Sequence, residues 1–325
     1  MKRRLFSHAV LTVSLAMASV HVSAQTRWDL PSAYSATNFH TVNMAQFAAD
    51  VDKATAGKLK VTLHPNASLF KMPEIKRAVQ GGQAQLGEIA LLVFENEWPM
   101  FGADGLPFLA TSYDDAMKLY RAQKPVLEKR LGAQGIMVLY TVPWSPQGLY
   151  SRKPIASGAD LKGMKWRAYS PSTSRIAELL GAQPVTVQAA EVTQALATGV
   201  VDALMTSSTS GVDGKFFENV KYYYDVQAWI PKNAVLMNKR AFEGLGKAEQ
   251  DAVLKAAADA QTRGWAAAIK ENDAALATLK ANGMTIEQPS AKLKADLQTV
   301  GETMLKEWLA KAGPEGTAVL EAYRK

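Results

Sequence analysis

The chain has 325 residues, 48% hydrophobic and 21% charged, which is ample for a packed core and points to two domains rather than one. It has no cysteine, which excludes disulfides, cysteine nucleophiles, thiolate metal sites and a lipid-anchored N-terminal cysteine. The formal charge of +7 is spread along the chain without a Lys/Arg block, which argues against a nucleic-acid footprint.

The first 24 residues read as a secretory signal. Lys2, Arg3 and Arg4 form a positive start, Leu5 to Met17 is largely apolar, and Val22-Ser23-Ala24 fits the small-x-small cleavage rule. The apolar run is too short to span a bilayer, so the mature chain is expected to begin at Gln25 and to be exported. Thr26 to Ala33 reads as a strand, followed by a loop with Tyr34, Ser35 and Asn38. Met44, Phe47 and Val51 at helical spacing predict a helix from about Phe39 to Thr55. Leu59, Val61 and Leu63 alternate as a second strand. Pro73 opens a helix that stops at Gly81-Gly82, and Leu86 to Val93 is apolar enough for a buried strand. Thr111 to Leu131 is helical, with Ser112 and Asp115 resembling a capping box, and is expected to bend or break at Pro125. Gly135 to Val142 is another buried strand.

Asp160 to Pro171 holds the most informative pattern. Met164, Trp166 and Ala168 share one face of a strand, and Lys165, Arg167 and Tyr169 share the other. Ser170-Pro171 is a helix start. Arg167 therefore sits near the carboxyl end of a strand, where open α/β sheets bind ligands, and its guanidinium matches a carboxylate or phosphate. Strands and helices alternate throughout, which predicts an α/β fold with mostly parallel sheets. The stretch Glu74 to Gly82 recurs as Glu191 to Gly199, with Glu, aliphatic, Ala, aliphatic and Gly at identical offsets, as two similar lobes would require. From Gly246 to Ala281 there is no proline, and apolar residues keep helical spacing, so one helix of about 54 Å is expected, with a bend at Gly264. The tail adds two helices separated by Gly313-Pro314.

Asp160-Leu161-Lys162-Gly163-Met164-Lys165-Trp166-Arg167 resembles the Asp-Leu-Lys-Gly-x-Lys-x-Arg signature of the solute-binding proteins of TRAP transporters, the DctP-like family. Gly105 to Leu109, Gly181 to Pro184, Glu191 with Ala195-Leu196, and Gly199 to Asp202 extend the match across most of the chain. The resemblance implies a two-lobed periplasmic binding protein fold with a long lobe-spanning helix. It implies a small organic acid closed between the lobes and delivered to TRAP membrane permease subunits, with Arg167 on the ligand carboxylate. The expected division is residues 25–144 with 233–272 in one lobe and 145–232 with 273–325 in the other. Sialic-acid-binding members carry a second arginine where Gln147 falls, so a sialic acid is not expected.

Around Arg167, further candidate ligand contacts are Lys71 before a helix start, Gln147, Thr206 and Ser207 at strand ends, Asn233 at a crossover, and the aromatic residues Tyr34, Phe39, Trp144 and Tyr169. One arginine with amides, hydroxyls and aromatic walls favours a hydroxy-, keto- or aromatic monocarboxylate. No His pair or carboxylate cluster has metal-ligand spacing, and no cofactor is expected. The alternatives are a binding protein of an ABC-type importer and an exported hydrolase. The second lacks a Gly-x-Ser-x-Gly elbow and a plausible triad.

Overall fold

The computed structural model describes residues 25–325, so the expected signal peptide lies outside the described residues. Two strand–helix units start the chain. β1 (Thr26–Pro31) leads through α1 (Phe39–Ala54) to β2 (Leu59–His64), which returns parallel to β1. Met44, Phe47 and Val51 are the buried stripe of α1, as their spacing requires. α2 (Met72–Gln80) then feeds β3 (Leu86–Ala90). The expected strand to Val93 is shorter, because Ala90 is the last residue that pairs across the sheet and Leu91–Phe94 coil into a 3₁₀ turn. An apolar run alone does not distinguish these two outcomes.

α3 (Tyr113–Gly132) starts at Ser112, whose Oγ accepts from Asp115 N at 3.0 Å. It runs through Pro125 as one helix, against the expectation of a break. Proline removes one hydrogen bond and crowds the carbonyl one turn back, at Arg121. Leu119, Tyr120, Leu127 and Leu131 are buried on both sides of it, and that packing holds the two halves together. β4 (Ile136–Pro143) follows, and the chain then crosses into a second sheet.

That sheet is built from β5 (Gln147–Ser151), β6 (Lys165–Ala168), α4 (Pro171–Leu179), β7 (Gln183–Thr186), α5 (Val192–Ala197), β8 (Ala203–Ser207), α6 (Ser208–Asp213) and β9 (Tyr222–Tyr224). The chain recrosses as β10 (Lys232–Asn238), and α7 (Lys239–Glu243) leads into α8 (Lys247–Ala281). β11 (Thr285–Glu287) and α9 (Ala291–Arg324) complete it, α9 breaking at Gly313, where φ is +60°. The strand orders are β1-β2, β3-β10-β4 and β11-β9-β5-β8-β6-β7. The sheets are mixed rather than mostly parallel. β10 lies antiparallel between β3 and β4, and β5 lies antiparallel to β8 and β9. These two strands directly follow the crossings, so they enter each sheet against the direction set by its strand–helix–strand units.

The crossings lie side by side. Trp144 N donates to Pro231 O, and Gln147 N to Trp229 O, both at 2.9 Å. α8 ties the halves together from outside. Asn43 Nδ2 donates to Ala260 O at 2.9 Å on one side, Ser208 Oγ donates to Asn272 Oδ1 at 2.9 Å on the other, and Leu279 enters the core around Tyr150 and Tyr223. The repeated segments occupy equivalent places: α2 passes through Gly82 (φ +74°) into β3, and α5 through Gly199 (φ +71°) into β8.

Gly264 lets α8 approach β4 and α1 closely. A Cβ there would lie 2.4 Å from a Val142 methyl and 2.8 Å from Asn43 Nδ2. In an exposed helix, Gly→Ala gains about 1 kcal/mol. Overpacking of this kind costs about 1–3 kcal/mol. The net expectation for Gly264→Ala is therefore a lower denaturation midpoint in urea, which a chemical melt would read directly.

Candidate ligand site

Arg167 is set by its strand. Trp166 turns into the core, where its Nε1 donates to Thr173 O at 3.1 Å, so Arg167 faces the other way. β6 ends at Ala168, and two residues on the Ser170 Oγ caps α4 by accepting from Thr173 N at 3.1 Å. Arg167 is only 5% exposed. Its Nε donates to Val187 O at 3.0 Å, and its guanidinium carbon lies 4.6 Å from the centre of the Tyr169 ring. Among the described residues no carboxylate pairs with it, and its two Nη groups have no protein acceptor. Burial pulls its pKa down to about 10, so it stays charged at neutral pH.

Arg167 lines a cavity of about 220 Å³ between the lobes. Tyr34, Trp144, Gln147, Tyr169 and Thr206 line it too, so six of the ten residues singled out in the sequence converge. Tyr34 meets Trp144 edge-on at 4.8 Å between ring centres, and Tyr169 Oη donates to Gln147 Oε1 at 3.3 Å. Burial raises the pKa of both tyrosines, which keeps them as neutral hydroxyl donors.

The other four lie elsewhere. Phe39 stands behind Trp144, edge-on at 5.6 Å, and lines a separate cavity between α1, α6 and α8. Lys71 is exposed and lines a cavity of about 210 Å³ that adjoins the first through Ala33, Asn66, Ala189 and Ala190. Ser207 caps α6, its Oγ accepting from Ser210 N at 3.0 Å. Asn233 is buried one layer behind the wall, bound to Trp144 and Glu88.

Sequence reasoning missed Asp213 and the cavity role of Asn38. Asn38 lies in a loop before an apolar-periodic run, which signals a cap, and its Oδ1 does accept from His40 N at 2.9 Å. Its Nδ2 reaches across the lobes to Asp213 Oδ2 at 2.6 Å, a contact 175 residues apart with no local signature. Surrounding protein raises the Asp213 carboxyl above its usual range, partly offset by that Asn38 bond, although the cleft leaves the side chain accessible. Ser172 Oγ makes a second bond across the lobes, to Glu95.

A cleft with a buried arginine open to a carboxylate is what a solute receptor presents, and the comparisons decide which kind. The family model for bacterial extracellular solute-binding protein, family 7 (DctP), matches residues 32–312. The chain belongs to this family. Its fold matches DctP6 of Bordetella pertussis, an extracytoplasmic solute receptor binding pyroglutamic acid, at 56% identity and TM-score 0.91, over 92% of this chain and 99% of that one. DctP7 of the same organism, also binding pyroglutamic acid, is 47% identical with TM-score 0.91, over 92% and 100%. A marine metagenome TRAP solute-binding protein with pyroglutamate is 43% identical with TM-score 0.90, over 92% and 99%.

This receptor therefore has the two-lobed TRAP fold and works outside the cytoplasm. It captures a small organic acid and hands it to TRAP membrane permease components. The family and these relatives are receptors, not enzymes, and the TRAP assignment stands over the ABC-type and hydrolase alternatives. Among the described residues no helix is long and apolar enough to cross a membrane.

The bond between Asn38 and Asp213 closes the cleft from one side. Asn38→Asp keeps the cap but sets two carboxylates in contact. Ligand affinity by calorimetry is expected to fall at least about tenfold at neutral pH, with the thermal midpoint little changed.

Proposed function

We propose that the ligand is pyroglutamate, a five-membered lactam with one carboxylate, captured for a TRAP permease. The observation that carries the reading is the buried side chain of Arg167, both Nη groups without an acceptor among the described residues, in a cavity of about 220 Å³. One fixed charge matches one carboxylate, bound by parallel N–H donors. The aromatic faces of Tyr34, Trp144 and Tyr169 suit the flat apolar edge of a small ring. A lactam also needs a donor for its oxygen and an acceptor for its N–H. The Thr206 hydroxyl and the second Nε2 hydrogen of Gln147 serve the first, and Asp213 Oδ1 serves the second. Three receptors 43–56% identical to this chain, each with pyroglutamate bound, support this choice within the family.

In this reading the carboxylate meets Arg167 on the second lobe, the first lobe closes over it, and the closed form is favoured by its additional contacts. The lobes divide as 25–144 with 233–272 and 145–232 with 273–325. The paired crossings at Trp144 and Pro231 support that division. α9 bridges it, packing on α4 and on α3.

Titration calorimetry with L-pyroglutamate is expected to give one saturable site. Arg167→Lys loses the planar fork and should weaken binding about 30-fold or more. Arg167→Ala should abolish it. Absence of heat with pyroglutamate, alongside Arg167-dependent binding of another monocarboxylate, would reject the ligand and keep the site.

A further inference from the structure

Behind the cavity wall lies a carboxyl group that the ligand site does not use. Glu88, on β3, is 1% exposed. Its Oε2 accepts from Ser32 Oγ at 2.6 Å and its Oε1 from Asn233 Nδ2 at 2.9 Å. Asn233 Oδ1 in turn accepts from Trp144 Nε1 at 2.8 Å. The polarity of this row is fixed by chemistry. The indole N–H can only donate, and an ionised carboxylate can only accept. The amide between them is satisfied on both sides in one orientation alone. Register explains the meeting: Asn233 and Val235 on β10 pair with Ala90 and Glu88 on β3, and Trp144 follows β4 on the other side of β10.

We propose that Glu88 is a positioning residue for the ligand site: it fixes the Asn233 amide, which fixes the Trp144 indole that walls the cavity. The ligand never touches it. Its effect on affinity is exerted through the wall, and it extends the pyroglutamate reading above.

The surroundings leave Glu88 as the group that titrates. His40 on α1 places Nδ1 3.4 Å from Glu88 Oε1, but burial pushes His40 well below its ordinary value and it stays neutral. Its ring packs on Trp144 at 4.2 Å between centres. Tyr34 and Tyr140, from the loop after β1 and from β4, feel the Glu88 charge, and burial keeps both protonated. Arg263 on α8 lies beyond Tyr140. Among the described residues no Lys or Arg pairs with Glu88. Burial therefore pushes its carboxyl up to about 7, opposed by the Ser32 and Asn233 bonds. Charge-assisted hydrogen bonds are about twice as strong as neutral ones, so protonation slackens the whole row.

The test reads the indole directly. In ¹⁵N-labelled, ligand-free protein, the Trp144 Nε1–H resonance, assigned with Trp144→Phe, should move between about pH 5.5 and 8.5 with one midpoint near 7. Glu88→Gln keeps an acceptor toward Asn233 and loses the charge, so the resonance should be static. Ser32→Ala removes a bond that favours the carboxylate, so the midpoint should move upward. Affinity for L-pyroglutamate should be about three- to tenfold weaker at the acid end in the wild type. In Glu88→Gln the step with its midpoint near 7 should be lost. A wild-type resonance that ignores pH, or a Glu88→Gln resonance that titrates like the wild type, overturns the proposal. If Glu88→Gln fails to fold, an unmoved midpoint in Ser32→Ala overturns it. If pyroglutamate binds at no pH, the ligand assignment fails, and the resonance still decides the role of Glu88.

Discussion

A largely buried arginine that no carboxylate pairs with among the described residues is the constraint on which the rest of this receptor depends. Burying an ion costs several kcal/mol after relaxation. One carbonyl of Val187 and the face of Tyr169 offset part of that cost. The remainder is recovered when an anion arrives, so ligand binding and the closed form of the cleft are thermodynamically linked. An Asp or Glu beside Arg167 would stabilise the chain without ligand and occupy the donors that recognise it. Leaving them free is a local sacrifice of stability at a functional site.

Everything around that charge limits its freedom. β6 fixes its direction, the strand ends at Ala168 just before the cap at Ser170, and the Tyr169 ring lies against the guanidinium. The opposite wall is an aromatic cluster, with Tyr34, Phe39 and His40 packed about Trp144. A layer deeper, Asn233 and Glu88 satisfy the indole. The wall is therefore a stack of three shells rather than a row of contacts. Phe39 and Asn233 lie behind that first layer, which is why residues of suitable chemistry near the cleft do not line the cavity. The lobes meet through paired crossings, the Asn38–Asp213 and Ser172–Glu95 bonds, and the flank of α8. Beside these polar contacts, Met100, Leu106 and Leu119 share one buried apolar cluster with Trp166, Met304 and Trp308, so the joint is also packed.

Local order carried far along the sequence. The stripe of α1, the start of α2, the cap at Ser112, the break at Gly313 and the 35-residue α8 all follow from spacing and capping within a few residues. So does the placement of Arg167 at a strand end. Where the structure differs, the deciding contact comes from afar. Pro125 stays helical because buried leucines and a tyrosine on both sides hold it. Gly264 is there to admit Val142 and Asn43. The strand after Leu86 ends early because β10 offers it no partner beyond Asn233.

The sequence by itself determined the α/β alternation, the long helix, the family signature and the arginine that lines the cleft, because each is written in residues close together along the chain. The tertiary structure alone decided the mixed strand directions, the Asp213 contact, the retreat of Asn233 behind Trp144 and the burial of Glu88. Those depend on which strands become neighbours after the chain has crossed twice between lobes. A pairing between residues tens to nearly two hundred positions apart leaves no periodicity to read.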